Sequence, residues 1–320
     1  MLYSVSGHRR AGLPAGRPGV VPDRHDKLVR PVCTNLRWRA AYASIVGGQS
    51  GPCRPSAFRK EERHVQARNY PPKPKDVYLF GTCLIDLFVP QAGMDAVRLL
   101  EREGLTVHFP QDQSCCGQPA YTSGDAEAAR KVARAQMKLF AQDWPVIVPS
   151  GSCAGMMREH WPKLFADDAA YGPQATALAE RVFELSEFLV HVLQPDYSAA
   201  RAEPVKVALH TSCSARREMG TRVHGLSLLA SLPGVEVVEH VRESECCGFG
   251  GTFSLRHPDI SGAIVRDKVD SIAGTGCQRF ITADCGCMLN ISTAAQHRSV
   301  AVAGTHMASF VCERLTGESA

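Results

Sequence analysis

From residue 76 onward the apolar positions follow two alternating periods. Short continuous apolar runs at 76–80, 105–109 and 146–148 read as buried strands. Between them, Ala92, Ala96, Leu99 and Leu100 share one face of a helix predicted over 91–103, and Gly104 suits the turn that ends it. Ala129, Val132, Ala133, Met137 and Phe140 do the same for a helix over 125–141. The spacing of Leu178, Val182, Leu185, Leu189 and Val192 predicts a single helix over 174–193. The pattern then begins again, with strands at 205–209, 235–238 and 279–282 and helices at 222–231, 259–273 and 305–315. Strand alternating with helix predicts parallel βαβ units in a three-layer α/β architecture. The recurrence, with a period of about 130 residues, predicts two pseudo-symmetric α/β repeats, 73–200 and 201–320.

Residues 1–72 carry neither period. They are rich in Arg, Pro and Gly, with 13 Lys/Arg against 4 Asp/Glu, and read as a basic, disordered extension. Cys33 and Cys53 fall within it and are not expected to be ligands; Pro71-Pro72-Lys73-Pro74 reads as the linker into the folded body. Beyond residue 72 the balance reverses, to 23 basic against 28 acidic residues, which argues against nucleic acid as a partner of the body. No apolar run is long enough to span a membrane, and the N-terminus lacks the apolar core of a secretory signal, so a cytoplasmic protein is expected.

The thirteen cysteines change the picture most. Cys115-Cys116-Gly117 and Cys246-Cys247-Gly248 are the same uncommon device used twice. Cys83 to Cys115 leaves 31 residues between and Cys213 to Cys246 leaves 32; Cys116 to Cys153 leaves 36 and Cys247 to Cys285 leaves 37. On this spacing Cys153 matches Cys285, and Gly155 stands opposite Cys287. Each of these cysteines follows a predicted strand, and in parallel sheets ligands bind beyond the carboxyl ends of the strands. Three loops per half should therefore present sulfur to one point: Cys213, Cys246, Cys247, Cys285 and Cys287 in the second half, and Cys83, Cys115, Cys116 and Cys153 in the first. Thiolate is a soft donor suited to zinc or iron-sulfur clusters. Vicinal cysteines crowd one small ion but can reach different irons of a cluster, so a cluster is expected in the second half. The first-half set stays open between a four-ligand cluster, zinc and an unused remnant. Cys277 and Cys312 stand outside the pattern and read as buried apolar thiols. His210 and His257 lie near cysteine loops and read as satisfied structural histidines, and Arg216-Arg217-Glu218 as a solvated helix face. Phe249-Gly250-Gly251 is not a dinucleotide fingerprint.

Six segments carry a resemblance: Phe80-Gly81-Thr82-Cys83, Ser114-Cys115-Cys116-Gly117, Ser150-Gly151-Ser152-Cys153, His210-Thr211-Ser212-Cys213, Glu245-Cys246-Cys247-Gly248-Phe249-Gly250-Gly251 and Asp284-Cys285-Gly286-Cys287. Residues 76–315 resemble the cysteine-rich CCG domain family, found in heterodisulfide reductase and in the glycolate oxidase iron-sulfur subunit, and within it the lactate-utilization members. The resemblance implies a subunit of a three-protein system that oxidises L-lactate to pyruvate, binding an iron-sulfur cluster of the 4Fe-4S type. In heterodisulfide reductase that cluster is non-cubane, which carries over best to Cys213, Cys246, Cys247, Cys285 and Cys287. The resemblance also implies a ferredoxin-like iron-sulfur partner and a third subunit. The chain departs from the heterodisulfide reductase pattern in having Cys285-Gly286-Cys287 rather than Cys-x2-Cys, and it lacks a ferredoxin Cys-x2-Cys-x2-Cys run. Two other readings of the residues remain: a thiol-disulfide oxidoreductase working through Cys246-Cys247, and a scaffold held by structural zinc.

Overall fold

The structure is a computed structural model that describes residues 68–317. Cys33, Cys53 and most of the basic extension lie outside the described residues. In the first half the chain runs β1 (Asp76–Leu79), α1 (Cys83–Phe88), α2 (Pro90–Arg102), β2 (Thr106–His108), α3 (Gln118–Thr122), α4 (Ala126–Met137) and β3 (Val146–Val148). A helical run comes next: α5 (Gly151–Gly155), a π-helical turn (Met156–His160) and α6 (Trp161–Leu164). Then come α7 (Gly172–Glu180), β4 (Val182–Glu184) and α8 (Leu185–Phe188), extended by a second π-helical turn (Leu189–Leu193). The second half runs β5 (Val205–Leu209), α9 (Cys213–Met219), α10 (Thr221–Ala230), β6 (Val235–Val238), α11 (Phe253–Arg256), α12 (Pro258–Ala273), β7 (Arg279–Thr282), α13 (Cys285–His297), β8 (Ala303–His306) and α14 (Met307–Thr316).

Among the described residues there are two four-stranded sheets, ordered β2-β1-β3-β4 and β6-β5-β7-β8, and every pairing is parallel. The strand order turns back at β1/β3 and at β5/β7, the kind of switch point beside which α/β sheets bind ligands. Each half thus has four strands where sequence periodicity supplies three. β4 is hidden inside the helix predicted over 174–193. Val182, Leu185, Leu189 and Val192 are all buried, as a helical face requires, but a three-residue buried strand leading into a short helix gives the same apolar spacing. β8 is Ala-Gly-Thr-His and has no strand signature, since only its pairing with β7 makes it extended.

Three apolar clusters hold the layers together. One fills the space between the sheets and draws on both halves, joining Val77, Leu79, Leu99 and Leu100 to Val207, Leu209, Leu229 and Phe310. The others cover the outer faces, one around Phe80, Phe140 and Trp161, the other around Val265, Phe280 and Ile291. Polar contacts cross between the halves as well. Ser150 Oγ and the Ser152 amide donate to Asp284 Oδ1 at 3.1 and 2.9 Å, so the second half caps the start of α5 in the first. His306 Nε2 donates to the Pro149 carbonyl at 2.9 Å. Arg68 and Tyr70, at the start of the described chain, are fastened to the body through Glu187, and Arg68 also donates to the Val182 and Glu180 carbonyls.

Glu184 closes β4 and is fully buried. One of its oxygens accepts from the Ser186 hydroxyl and from the Ser186 and Glu187 amides. Burial pushes its pKa up from 4.5 to about 7. A raised carboxyl pKa stabilises the fold fully below the unfolded value, and that stability is lost as pH rises through about 7. Glu184→Gln keeps the acceptor and cannot ionise. Urea unfolding at pH 5 and pH 8 should show the variant gaining on the wild type by about 3 kcal/mol or less across that interval; equal pH dependence in both proteins would refute the assignment.

Candidate metal centre

The sheets supply a register that does not depend on counting loop residues. Leu79 pairs with Ile147 in the first sheet and Leu209 with Ile281 in the second. Cys83 and Cys213 each lie four residues beyond their leucine, and Cys153 and Cys287 each lie six beyond their isoleucine. Cys153 is therefore the counterpart of Cys287, and Gly151 that of Cys285. This corrects the match drawn from spacing. That match fails because α12 has 16 residues and α4 only 12, so the intervals between cysteines are not equivalent paths. Nor is Gly155 a lost ligand position, since a Cβ there would lie 2.4 Å from the Glu218 carboxylate.

The same local devices place the sulfurs in both halves. Cys83 and Cys213 open α1 and α9, behind Thr82 and Ser212, whose hydroxyls accept from the amides of Ile85 (3.5 Å) and Ala215 (3.4 Å). Cys115-Cys116 and Cys246-Cys247 sit in loops that leave β2 and β6 and turn back at Gly117 (φ 86°) and Gly248 (φ 88°), in the left-handed region glycine favours. Both glycines press against a helix: a Cβ on Gly117 would be 3.3 Å from the Ala129 carbonyl, and one on Gly248 would be 2.6 Å from that of Ser261. Trp161 Nε1 donates to the Cys116 carbonyl and Asn290 Nδ2 to the Cys247 carbonyl, each at 2.9 Å, which fixes both loops from behind.

The sulfurs meet in two matching chains. In the first half Cys83 contacts Cys115 at 3.7 Å, Cys115 contacts Cys116, and Cys116 contacts Cys153. In the second, Cys213 contacts Cys246, Cys246 contacts Cys247, and Cys247 contacts Cys287. Cys285 is buried at the start of α13 but lies outside this chain; the titratable groups near enough to act on it are Asp284, Cys153 and Cys287, which places it between the two sets. Every described cysteine is free. Cys277 and Cys312 are buried among apolar side chains, as expected for cysteines outside the pattern.

One sulfur in each set is held as a thiolate. Hydrogen bonds from Cys116 and then Cys83, helped by the Gly117 amide, bring Cys115 down to about 3. Those from Cys213 and then Cys247, helped by the Gly248 amide, bring Cys246 down to about 2. The partners move the other way. Cys83 and Cys213 are raised first by the hydrogen bonds they give, and Cys116 and Cys247 likewise, with burial adding to each. Ionising Cys83, Cys116, Cys213 and Cys247 is opposed by burial and by like charge, and a bound cation relieves both. Four soft donors from three loops, one already anionic, fit a metal or metal-sulfur group.

The second set has polar company that the first lacks. His210 directly follows β5 and is fully buried, with neither ring nitrogen hydrogen-bonded among the described residues. A buried polar group left without a partner costs about 1–3 kcal/mol. A ring nitrogen of His210 and the sulfurs of Cys247 and Cys287 lie within 4.8 Å of one another. Burial, then the charges of Lys268 and His240, hold this imidazole neutral. Sequence alone points to a satisfied structural histidine here, and the structure supplies no partner that satisfies it; its lack of partners has no signature in sequence. Lys268 is also buried, donates to the Arg242 carbonyl, and is lowered by burial to about 8 against the opposing pull of nearby cysteines. Its counterpart is Gln136, seven residues beyond Ala129 as Lys268 is beyond Ser261; Gln136 instead bonds the amide (3.1 Å) and hydroxyl (3.0 Å) of Ser114. Glu243 ties the Cys246-Cys247 loop to α9, accepting from the Thr211 hydroxyl and pairing with Arg216 and, at 3.5 Å, with Arg222. Arg216 and Glu218 are thus not a solvated face, because Glu218 also binds His160 Nε2 at 2.9 Å. His257 is exposed and caps nothing with its side chain.

A family model for the cysteine-rich domain designated CCG matches the chain twice, over residues 77–158 and 207–292. The chain belongs to the cysteine-rich CCG domain family. The two matches fall on the two sheets and span all nine cysteines of the predicted sets. Curated relatives named "Lactate utilization protein A" include one from Macrococcus caseolyticus, 41% identical over 231 residues that make up 72% of this chain and 94% of the relative. Those from Shouchella clausii and Bacillus subtilis are 42% and 40% identical, over 73% and 74% of this chain and 97% and 99% of their own. Among solved structures, a hypothetical protein from Helicobacter pylori superposes with a TM-score of 0.53 at 10% identity, over 86% of this chain and 56% of that one, a likeness of fold alone. No helix among the described residues is long and apolar enough to cross a membrane.

The glycine of each CCG loop should matter unequally. Either glycine replaced by alanine bears the left-handed strain of about 1–3 kcal/mol. Gly248→Ala adds a collision with helix backbone at 2.6 Å, where Gly117→Ala meets it at 3.3 Å. Urea midpoints should fall further for Gly248→Ala than for Gly117→Ala; equal loss would mean the second loop can yield.

Proposed function

We propose that this CCG protein is an iron-sulfur subunit of a multi-protein system that oxidises L-lactate to pyruvate, and that it passes electrons through groups held by its two sulfur sets. The observation that carries the reading is the pair of four-sulfur chains set at equivalent positions of two duplicated sheets. The curated relatives, covered almost end to end and named for lactate utilization, supply the substrate. Cys213, Cys246, Cys247 and Cys287 would hold the second-half group, with Cys285 adjacent, and Cys83, Cys115, Cys116 and Cys153 the first-half group.

Removing two electrons and two protons from lactate calls for an acceptor, and an iron-sulfur group of the 4Fe-4S class takes electrons singly. The remaining work belongs to the chain. Hydrogen bonds from neighbouring thiols and from the CCG glycine amides favour the thiolate at Cys115 and Cys246, the form that binds metal. The Glu243 ion pairs, Trp161 and Asn290 hold the CCG loops against the sheets, which limits rearrangement when charge changes. Hand-over to or from a ferredoxin-like iron-sulfur subunit, with a third subunit completing the system, accounts for the absence of a ferredoxin run in this sequence. A thiol-disulfide role would use one vicinal pair and leave Cys213 and Cys287 in sulfur contact without a task.

Electron paramagnetic resonance of anaerobically isolated, dithionite-reduced protein tests the reading. The wild type should show iron-sulfur signals. Cys247→Ser should remove or reshape one component and Cys116→Ser another, whereas Cys277→Ser should leave the spectrum unchanged. A colourless protein that carries zinc without iron or sulfide would sink it.

A further inference from the structure

We infer that His210 is a nitrogen ligand of the metal group in the second half, which makes the two sites chemically different: sulfur alone in the first, sulfur plus imidazole in the second. The inference rests on the metal-sulfur reading above and extends it to a residue outside the cysteine pattern.

The backbone of His210 is fixed before its ring is considered. Its amide donates to the Ile281 carbonyl at 2.9 Å, continuing the β5–β7 ladder by one residue. The ring is wholly buried, with the Phe280 ring edge-on at 6.5 Å between centroids and His240 tilted at 6.3 Å. His240 does not serve as its partner: its Nδ1 is bonded to Ser271 Oγ at 3.0 Å, and its Nε2 makes no hydrogen bond among the described residues. The sulfurs of Cys247 and Cys287 also face His210, both inside the 4.8 Å triangle. Bonds of about 2.0–2.3 Å at the tetrahedral angle hold ligands about 3.3–3.8 Å apart, so closing the triangle by about 1 Å would place all three donors on one metal atom.

The duplication supplies an internal control. The residue that corresponds to His210 is Phe80, whose amide donates to the Ile147 carbonyl at 2.9 Å as the His210 amide does to Ile281. Phe80 is also fully buried, so the position tolerates an apolar ring of similar size. The four sulfurs are present in both halves, so the imidazole is an addition to the set and does not replace a cysteine. A neutral imidazole added to four sulfurs leaves the charge of the set unchanged, so what marks the second site is a nitrogen bonded to the metal group.

The test uses full-length protein isolated anaerobically after growth with 15N-histidine or with unlabelled histidine, together with His210→Phe, which copies the first half. Pulsed electron paramagnetic resonance of the reduced wild type should show a directly ligated histidine nitrogen that shifts with the label. His210→Phe should keep iron and sulfide and lose that coupling. A wild-type cluster signal without histidine coupling overturns the inference even if the variant fails to fold, as does a coupling that survives in a folded variant. If the wild type holds no iron or sulfide, the iron-sulfur reading falls separately. Cobalt(II) titration then reads the ligand alone: binding weakened tenfold or more in His210→Phe supports ligation, and equal binding overturns it.

Discussion

A parallel strand can deliver a loop only to the carboxyl edge of its sheet, and each predicted ligand cysteine leaves a strand on that edge. This restriction lets three loops, far apart in sequence, meet at a point. The order β2-β1-β3-β4 opens a crevice between β1 and β3, where Cys83 and Cys153 emerge, and the CCG loop after β2 closes over it. The second sheet repeats the construction with Cys213, Cys287 and the loop after β6. Gathering the sulfurs so closely makes their charge the local problem. Hydrogen bonds among the thiols and from the CCG glycine amides concentrate one negative charge on Cys115 and one on Cys246. Buried ion pairs and backbone contacts keep the loops from splaying apart.

The two halves share more than symmetry. A single apolar cluster fills the space between the sheets, and Asp284 of the second half caps the helix that carries Cys153 of the first. Ser123 and Thr252, each just beyond a CCG loop, bond one another at 2.8 Å. Cys285 lies where the sets approach each other. Under the proposed function, two sites tied together by these contacts would keep a constant separation, as electron movement requires. The duplication also allowed the copies to diverge: Phe80 became paired with His210 by position, and Gln136 with Lys268, so the second site is the more polar.

Much of this was legible in the sequence, and the gaps have physical causes. Strands rich in Val and Ile, such as 146–148 and 205–209, lie where their apolar runs put them. β4 and β8 were not legible, because one mimics a helical face and the other is extended only through its neighbour. The cysteines of both sets could be named, since a doubled CCG does not occur by composition alone. Their exact correspondence could not, since the interval from Cys247 to Cys287 is three residues longer than that from Cys116 to Cys153, which made Cys285 imitate the partner of Cys153. His210 stood out in sequence only by its place beside a cysteine loop, because burial without a hydrogen-bond partner is a property of three-dimensional surroundings. The resemblance to the CCG family gave the architecture correctly and favoured the five second-half cysteines, and it said nothing of an imidazole beside them.

Native mass spectrometry of the intact chain, sprayed without exposure to oxygen, tests the central claim most directly. The expected spectrum shows the chain mass plus the iron and inorganic sulfide of two clusters, one of which is lost when Cys83, Cys115, Cys116 and Cys153 are changed together to serine. A spectrum of bare chain, or of chain carrying only zinc ions, would contradict it.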